Sequence, residues 1–162
     1  MDFFKNKSIY SRIIEILSFL VMLWSLAPLL LCGKIAEENP VPIHYNIKGQ
    51  IDRWGNRSHI TTFSLLSLAF YVFLSILQKY PMALNYPVKI TPVNAESVYR
   101  LGVTLVRHLK LFLVLMFGYL NNVTFAIAIG KSNGISNSIL ISLIAMFFLC
   151  TIAFSVKIRK YR

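Results

Sequence analysis

Four stretches of this chain are apolar for long enough to cross a bilayer, and polar or basic residues separate each from the next. The first runs from Ile13 to Cys32 and is broken only by Glu15 near its start. The second covers Thr61 to Gln78, the third Leu109 to Ile129, and the fourth Ile135 to Val156. Each is close to the roughly 20 residues that a transmembrane helix needs. Ser64, Ser67 and Ser75 do not exclude the second span, because a serine hydroxyl can bond back to its own helix. Ahead of the third span, Thr91-Pro92 has the form of an N-cap followed by proline at the first helical position. From there Leu101, Leu105 and Leu109 recur every four residues, with Arg100 and Arg107 off that stripe. This predicts an amphipathic helix from about Pro92 to Leu109, lying at the membrane surface and leading into the third span. Lys131-Ser132-Asn133-Gly134 predicts a tight turn before the fourth.

Composition sharpens this picture. Hydrophobic residues make up 56% of the 162, only 14% are charged, and mean hydropathy is +0.62. Charges confined to the ends of long uncharged runs are what a bilayer selects for, since a charge in its core costs several kcal/mol. The net charge of +11 raises nucleic acid as a partner. The Lys and Arg residues cap apolar runs rather than share a polar face, so anionic lipid headgroups are the expected partner and nucleic acid is not. Leu29-Leu30-Leu31-Cys32-Gly33 faintly resembles a lipoprotein processing box, but Leu31 is too bulky for it. An uncleaved first helix is expected, kinked near Pro28, with Trp24 along its length. Cys32 and Cys150 have no CxxC or Cys/His neighbours and read as small hydrophobes.

Charge asymmetry sets an expected topology. Lys5, Lys7, Arg12, Lys79, Lys89, Arg100, Arg107, Lys110, Lys157, Arg159, Lys160 and Arg162 fall on one side. Only Lys34, Lys48, Arg53, Arg57 and Lys131 fall on the other. Both termini are therefore expected in the cytoplasm, with the loop from Gly33 to Ile60 outside. The fold expected is an all-α membrane protein with four transmembrane helices, an ordered extracytoplasmic hairpin loop and an interfacial amphipathic helix. It divides in sequence into residues 1–80 and 81–162.

The first loop has unusual chemistry for a linker. Pro40 and Pro42 force an extended start. Ile43 and Tyr45 alternate with His44 and Asn46 as a short strand, and Asn46 to Gly49 reads as a turn with glycine at positive φ. Ile51 to Trp54 suits a returning strand closed by Gly55-Asn56, with Tyr45 and Trp54 at headgroup level. The pattern Pro40, Pro42, His44, Asn46, Gly49, Asp52, Gly55 and Arg57, directly after a first span, resembles a bacterial domain of unknown function. That domain stands at the start of SdpI-type immunity proteins and in smaller membrane proteins. With its flanking helices the resemblance covers about the first half of the chain, and residues 81–162 carry no matching signature. It implies a bacterial cytoplasmic membrane, and immunity to a toxic peptide or signalling through the loop.

Other residues offer competing roles. His44 and Asp52, with His59, could hold a metal or act as an acid–base pair; the plainer role is bracing the hairpin while Asn46 caps its turn. Glu37 and Glu38 suit a cationic peptide or, more simply, a solvated loop start. Gly118, Asn122, Ala126 and Gly130 recur every four residues, a face for close helix packing or for a dimer seam or substrate path, with Asn121 beside it. Glu15 lies near Arg12 as a snorkelling pair. No nucleophile elbow, phosphate loop, paired carboxylates or haem motif is present, so no catalytic residue, metal or cofactor is expected. A small permease-like or accessory subunit and a metalloenzyme centred on His44 stand as alternatives. A reporter active only outside the cytoplasm is expected to be silent when fused to the C-terminus and active when inserted at Lys48. Activity at the C-terminus would overturn the topology.

Overall fold

The computed structural model describes residues 9–161; Lys5, Lys7 and Arg162 lie outside them. Four helices are long and apolar enough to cross a membrane. They are α1 (Ile9–Leu31), α2 (Ser58–Leu77), α3 (Ala95–Ala128) and α4 (Asn137–Ile158). Between α1 and α2 the chain forms an antiparallel hairpin of β1 (Val41–Tyr45) and β2 (Ile51–Gly55).

The helices do not share equally in the packing. α3 runs against both α1 and α2, and these three make the bundle. Among the helices α4 packs mainly on α3, and it buries only Ile158, which also meets Val88 ahead of α3. It is a peripheral helix rather than the fourth member of a closed bundle. Its residues, Ile141, Phe148 and Leu149 among them, stay exposed, as suits a surface whose solvent is lipid.

α3 spans 34 residues, or about 51 Å, with no break between the amphipathic lead-in and the span. Its buried face also differs from the leucine stripe. Val98, Gly102, Val103, Val106, Arg107 and Lys110 are buried, while Leu101, Leu105 and Leu109 are only partly covered. The helix follows a turn in which Asn94 N–H reaches Thr91 Oγ1, three residues later than the Thr-Pro pair suggests. It ends in a Schellman motif: Lys131 N–H bonds Ala126 O and Gly130 N–H bonds Ile127 O, with Gly130 at φ 72°. That is what Gly130 does. It is exposed and is not a packing position.

The α1–α3 contact is organised by a proline. Pro28 lies inside α1 and has no N–H to give to Trp24 O, four residues back. Asn122 of α3 donates Nδ2–H to that carbonyl at 3.3 Å, and to its own Gly118 O at 2.9 Å. Asn121 donates to the next carbonyl, Ser25 O, at 3.0 Å. Gly118 supplies the space: a β-carbon there would lie 2.8 Å from the Trp24 ring. Ala126, the remaining member of the predicted stripe, is partly covered, and the buried face passes instead through Gly118, Asn121, Thr124 and Ile127.

This arrangement predicts a coupled pair of substitutions. Asn122→Leu strands a carbonyl in a region without water, at a cost of about 1–3 kcal/mol. In a Pro28→Ala background the helix bonds Trp24 O itself, and the same change should cost close to nothing. Unfolding by SDS in mixed micelles measures the cycle. Equal losses in both backgrounds would show that the proline gap is not what Asn122 serves.

Candidate functional site

The hairpin is held down from three directions. Beneath it, Ile35, Val41 and Ile60 form a buried cluster with Cys32, Ile43, Phe125, Ala128 and Ile129 around them. At its base, the Arg57 guanidinium donates to Ile35 O at 3.0 Å and pairs with Glu37, joining the exit of α1 to the start of α2. Asn56 Oδ1 accepts from Ser58 N–H at 3.0 Å at the first turn of α2. At its side, Tyr45 points inward, 3.0 Å from Thr124 Oγ1 on α3. Burial there raises the phenol's pKa above its ordinary value. Tyr45 thus anchors the hairpin to α3.

The turn is tied as well. Asn46 Oδ1 accepts from Lys48 N–H at 2.9 Å and Gln50 N–H at 3.0 Å, and Asn46 Nδ2–H donates to Gln50 Oε1 at 3.1 Å. Gly49 adopts φ 77°, and a β-carbon on it would meet Asn137 Oδ1 at 2.5 Å. Asn137, at the start of α4, donates to Ile47 O at 3.0 Å. Pro42 is buried and Pro40 exposed. Gly55 packs beneath Ile43 and beside His59.

What the hairpin leaves in the open is a compact mixed surface. Ile47 is 99% exposed at the tip and Trp54 50% exposed on β2. Between them, His44 Nδ1 and Asp52 Oδ1 lie 2.6 Å apart across the strands, both well exposed, and Arg53 is beside them. Among the described residues, no three His, Cys, Asp or Glu side chains gather as a metal site would require. A His–Asp pair in open solvent braces the strands and presents a dipole.

Below the hairpin a second polar feature runs down the three-helix seam. Ser25 Oγ lies 2.7 Å from both Met22 O and Ser67 Oγ, and Asn121 Nδ2–H donates to Ser64 Oγ at 2.7 Å. Ser18, Ser25, Ser64, Ser67, Asn121 and Thr124 are all fully buried. Toward the far end Glu15 meets two cations from α3: Arg107 Nε at 3.1 Å and Lys110 Nζ at 2.6 Å. Lys110 also reaches Ser75 Oγ at 3.1 Å and sits 5.1 Å from the Tyr71 ring centre, and Arg107 reaches Ser11 Oγ at 3.1 Å. Lys110 is fully buried and Arg107 nearly so. Glu15 therefore pairs across the bundle, rather than with Arg12 as the sequence suggested.

The sequence held a signal for this triad. Ser11, Glu15, Ser18, Met22 and Ser25 follow a four-three spacing on α1. Val103, Arg107, Lys110, Val114, Gly118 and Asn121 follow a similar one on α3. Reading each row as a single helix face puts carboxylate and cations on the same seam as the small and amide residues. Counting Arg107 and Lys110 only as topology markers hid that.

No family model, curated protein or solved structure matches the chain.

Two cations and one carboxylate give the cluster one excess positive charge. Glu15→Gln adds another, and breaking a buried pair in this way is expected to destabilise the protein by about 3–5 kcal/mol. Lys110→Met in the same chain returns the cluster to its original net charge and should recover most of the loss. SDS-induced unfolding of the two variants decides it; a single variant as stable as the parent would remove the triad from the structural account.

Proposed function

We propose that this chain is a non-enzymatic, multi-pass protein of the bacterial cytoplasmic membrane whose hairpin, on the outer side, recognises a peptide or a membrane partner protein. The role is immunity or signalling of the SdpI type that the loop pattern resembles. The observation that supports it is the contrast within one short segment. The hairpin is pinned to α2, α3, α4 and the segment that follows α1, yet its exposed surface displays Ile47, Trp54, Arg53 and the His44–Asp52 pair. A pre-ordered surface with an aromatic and an aliphatic anchor binds without a large ordering cost. Trp54 also suits the headgroup layer, so the surface meets its ligand at the membrane rather than away from it. Both termini then face the cytoplasm, where the basic residues around α3 and after α4 meet anionic lipid.

A second reading, a small permease-like or accessory subunit, draws support from the polar seam. The buried serines and Asn121 line the middle of the bundle, and Asn121 Oδ1 has no partner among the described residues. Seam hydroxyls equally serve as interhelical bonds in lipid, so recognition is the better-supported reading. Deleting the gene is expected to sensitise the parent bacterium to a killing peptide or to envelope stress. A copy carrying Ile47→Asp and Trp54→Ala should insert at normal levels and fail to restore resistance. Full restoration by that copy would dismiss the hairpin as the recognition surface.

A further inference from the structure

Far from the hairpin, α3, α4 and the start of α1 diverge and leave two adjoining cavities. The first, about 310 Å³, is lined by Leu101, Leu105, Cys150, Ala153 and Phe154, with Tyr10 and His108 at one wall. The second, about 560 Å³, shares Leu101, Thr104 and Lys157 with it and adds Glu96, Ser97, Arg100 and Tyr161. One half of this groove is apolar and the other polar and basic. It borders the end of α4, where Lys157, Arg159 and Lys160 mark the limit of the apolar run.

The polar groups differ in how far they are already engaged. His108 Nδ1 lies 2.7 Å from Thr104 O, which can only accept, so Nδ1 carries the proton. Its Nε2 lies 2.6 Å from the Tyr10 hydroxyl, so both ring nitrogens have a partner. Arg100 pairs with Glu96 one turn earlier at 2.6 Å. Lys157 lines both cavities and forms no ion pair among the described residues. Among the described residues, the groove's charged side chains therefore leave one excess positive charge, at Lys157 beside the apolar half.

We propose that this groove between α3 and α4 is a binding site for one anionic phospholipid, its acyl chain along Leu105, Cys150, Ala153 and Phe154 and its phosphate at Lys157. Lipid is the solvent on this face, so the occupant enters laterally. Charge complementarity selects the anionic headgroup over the zwitterionic one. A lipid seated there also covers the side of α4 that α3 leaves open, which gives the peripheral helix a second packing partner. The site is independent of what the hairpin recognises.

The test uses the full-length chain reconstituted in vesicles with equal parts phosphatidylethanolamine and phosphatidylglycerol. The chain is then extracted in mild detergent, and retained lipid is counted by native mass spectrometry. The wild type should keep phosphatidylglycerol in preference to phosphatidylethanolamine, and excess inorganic phosphate should not displace it. Lys157→Gln, an exposed substitution that leaves the fold intact, should lower phosphatidylglycerol retention about five-fold, the effect of one basic residue at a headgroup. Ala153→Trp, which fills the apolar half, should abolish retention of either lipid. Equal retention of the two lipids by the wild type, displacement by phosphate, or unchanged retention in Lys157→Gln would overturn the proposal.

Discussion

A carbonyl that has lost its helical partner cannot be left to water inside a bilayer, and this protein has one in the middle of α1. Pro28 removes the donor for Trp24 O, and two adjacent asparagines on α3 bond Trp24 O and Ser25 O. Much of the bundle follows from that need. It brings α3 against α1 at Gly118, where only hydrogen fits beside the Trp24 ring. It also fixes the rotation of α3, so that Asn121 can reach α2 through Ser64. With the rotation fixed, Thr124 lies under Tyr45, and Arg107 and Lys110 face Glu15.

The charged triad and the hairpin thus occupy opposite ends of one seam. Their chemistry differs in kind. The hairpin's polar groups are exposed and exchange freely with water, so their individual bonds contribute little to stability. The triad's groups are largely covered, so removing the carboxylate alone leaves two buried cations without their partner. A protein built this way is stabilised at the end that is shielded and displays its chemistry at the end that is not.

How much of this could be read from the residues alone follows from which interactions are local. The four spans were legible because long uncharged runs are a property of contiguous sequence. The turn at Asn46–Gly49 was legible because asparagine and glycine have conformational preferences of their own. Glu15 found Arg107 and Lys110 more than ninety residues away, and nothing adjacent in sequence points there. The bond from Tyr45 to Thr124 was not legible, because alternation with His44 says which residues share a face, but not what lies beneath that face. The peripheral place of α4 escaped notice for a related reason: a helix apolar on all sides fits a bundle interior and a lipid-facing margin equally well.

The bond from Asn137 to Ile47 O joins the tip of the hairpin to the first turn of the helix with the fewest ties to the rest. Whatever lifts that tip must break this bond and part Gly49 from Gly134 and Ile135, or draw the start of α4 along with it. At its other end α4 is seated by Ile158 against Val88 and Val98, and Tyr161 O accepts from Asn94 Nδ2–H at 3.0 Å. A contact at the hairpin tip therefore bears on α4, and through α4 on α3, as well as on the helices directly beneath the strands.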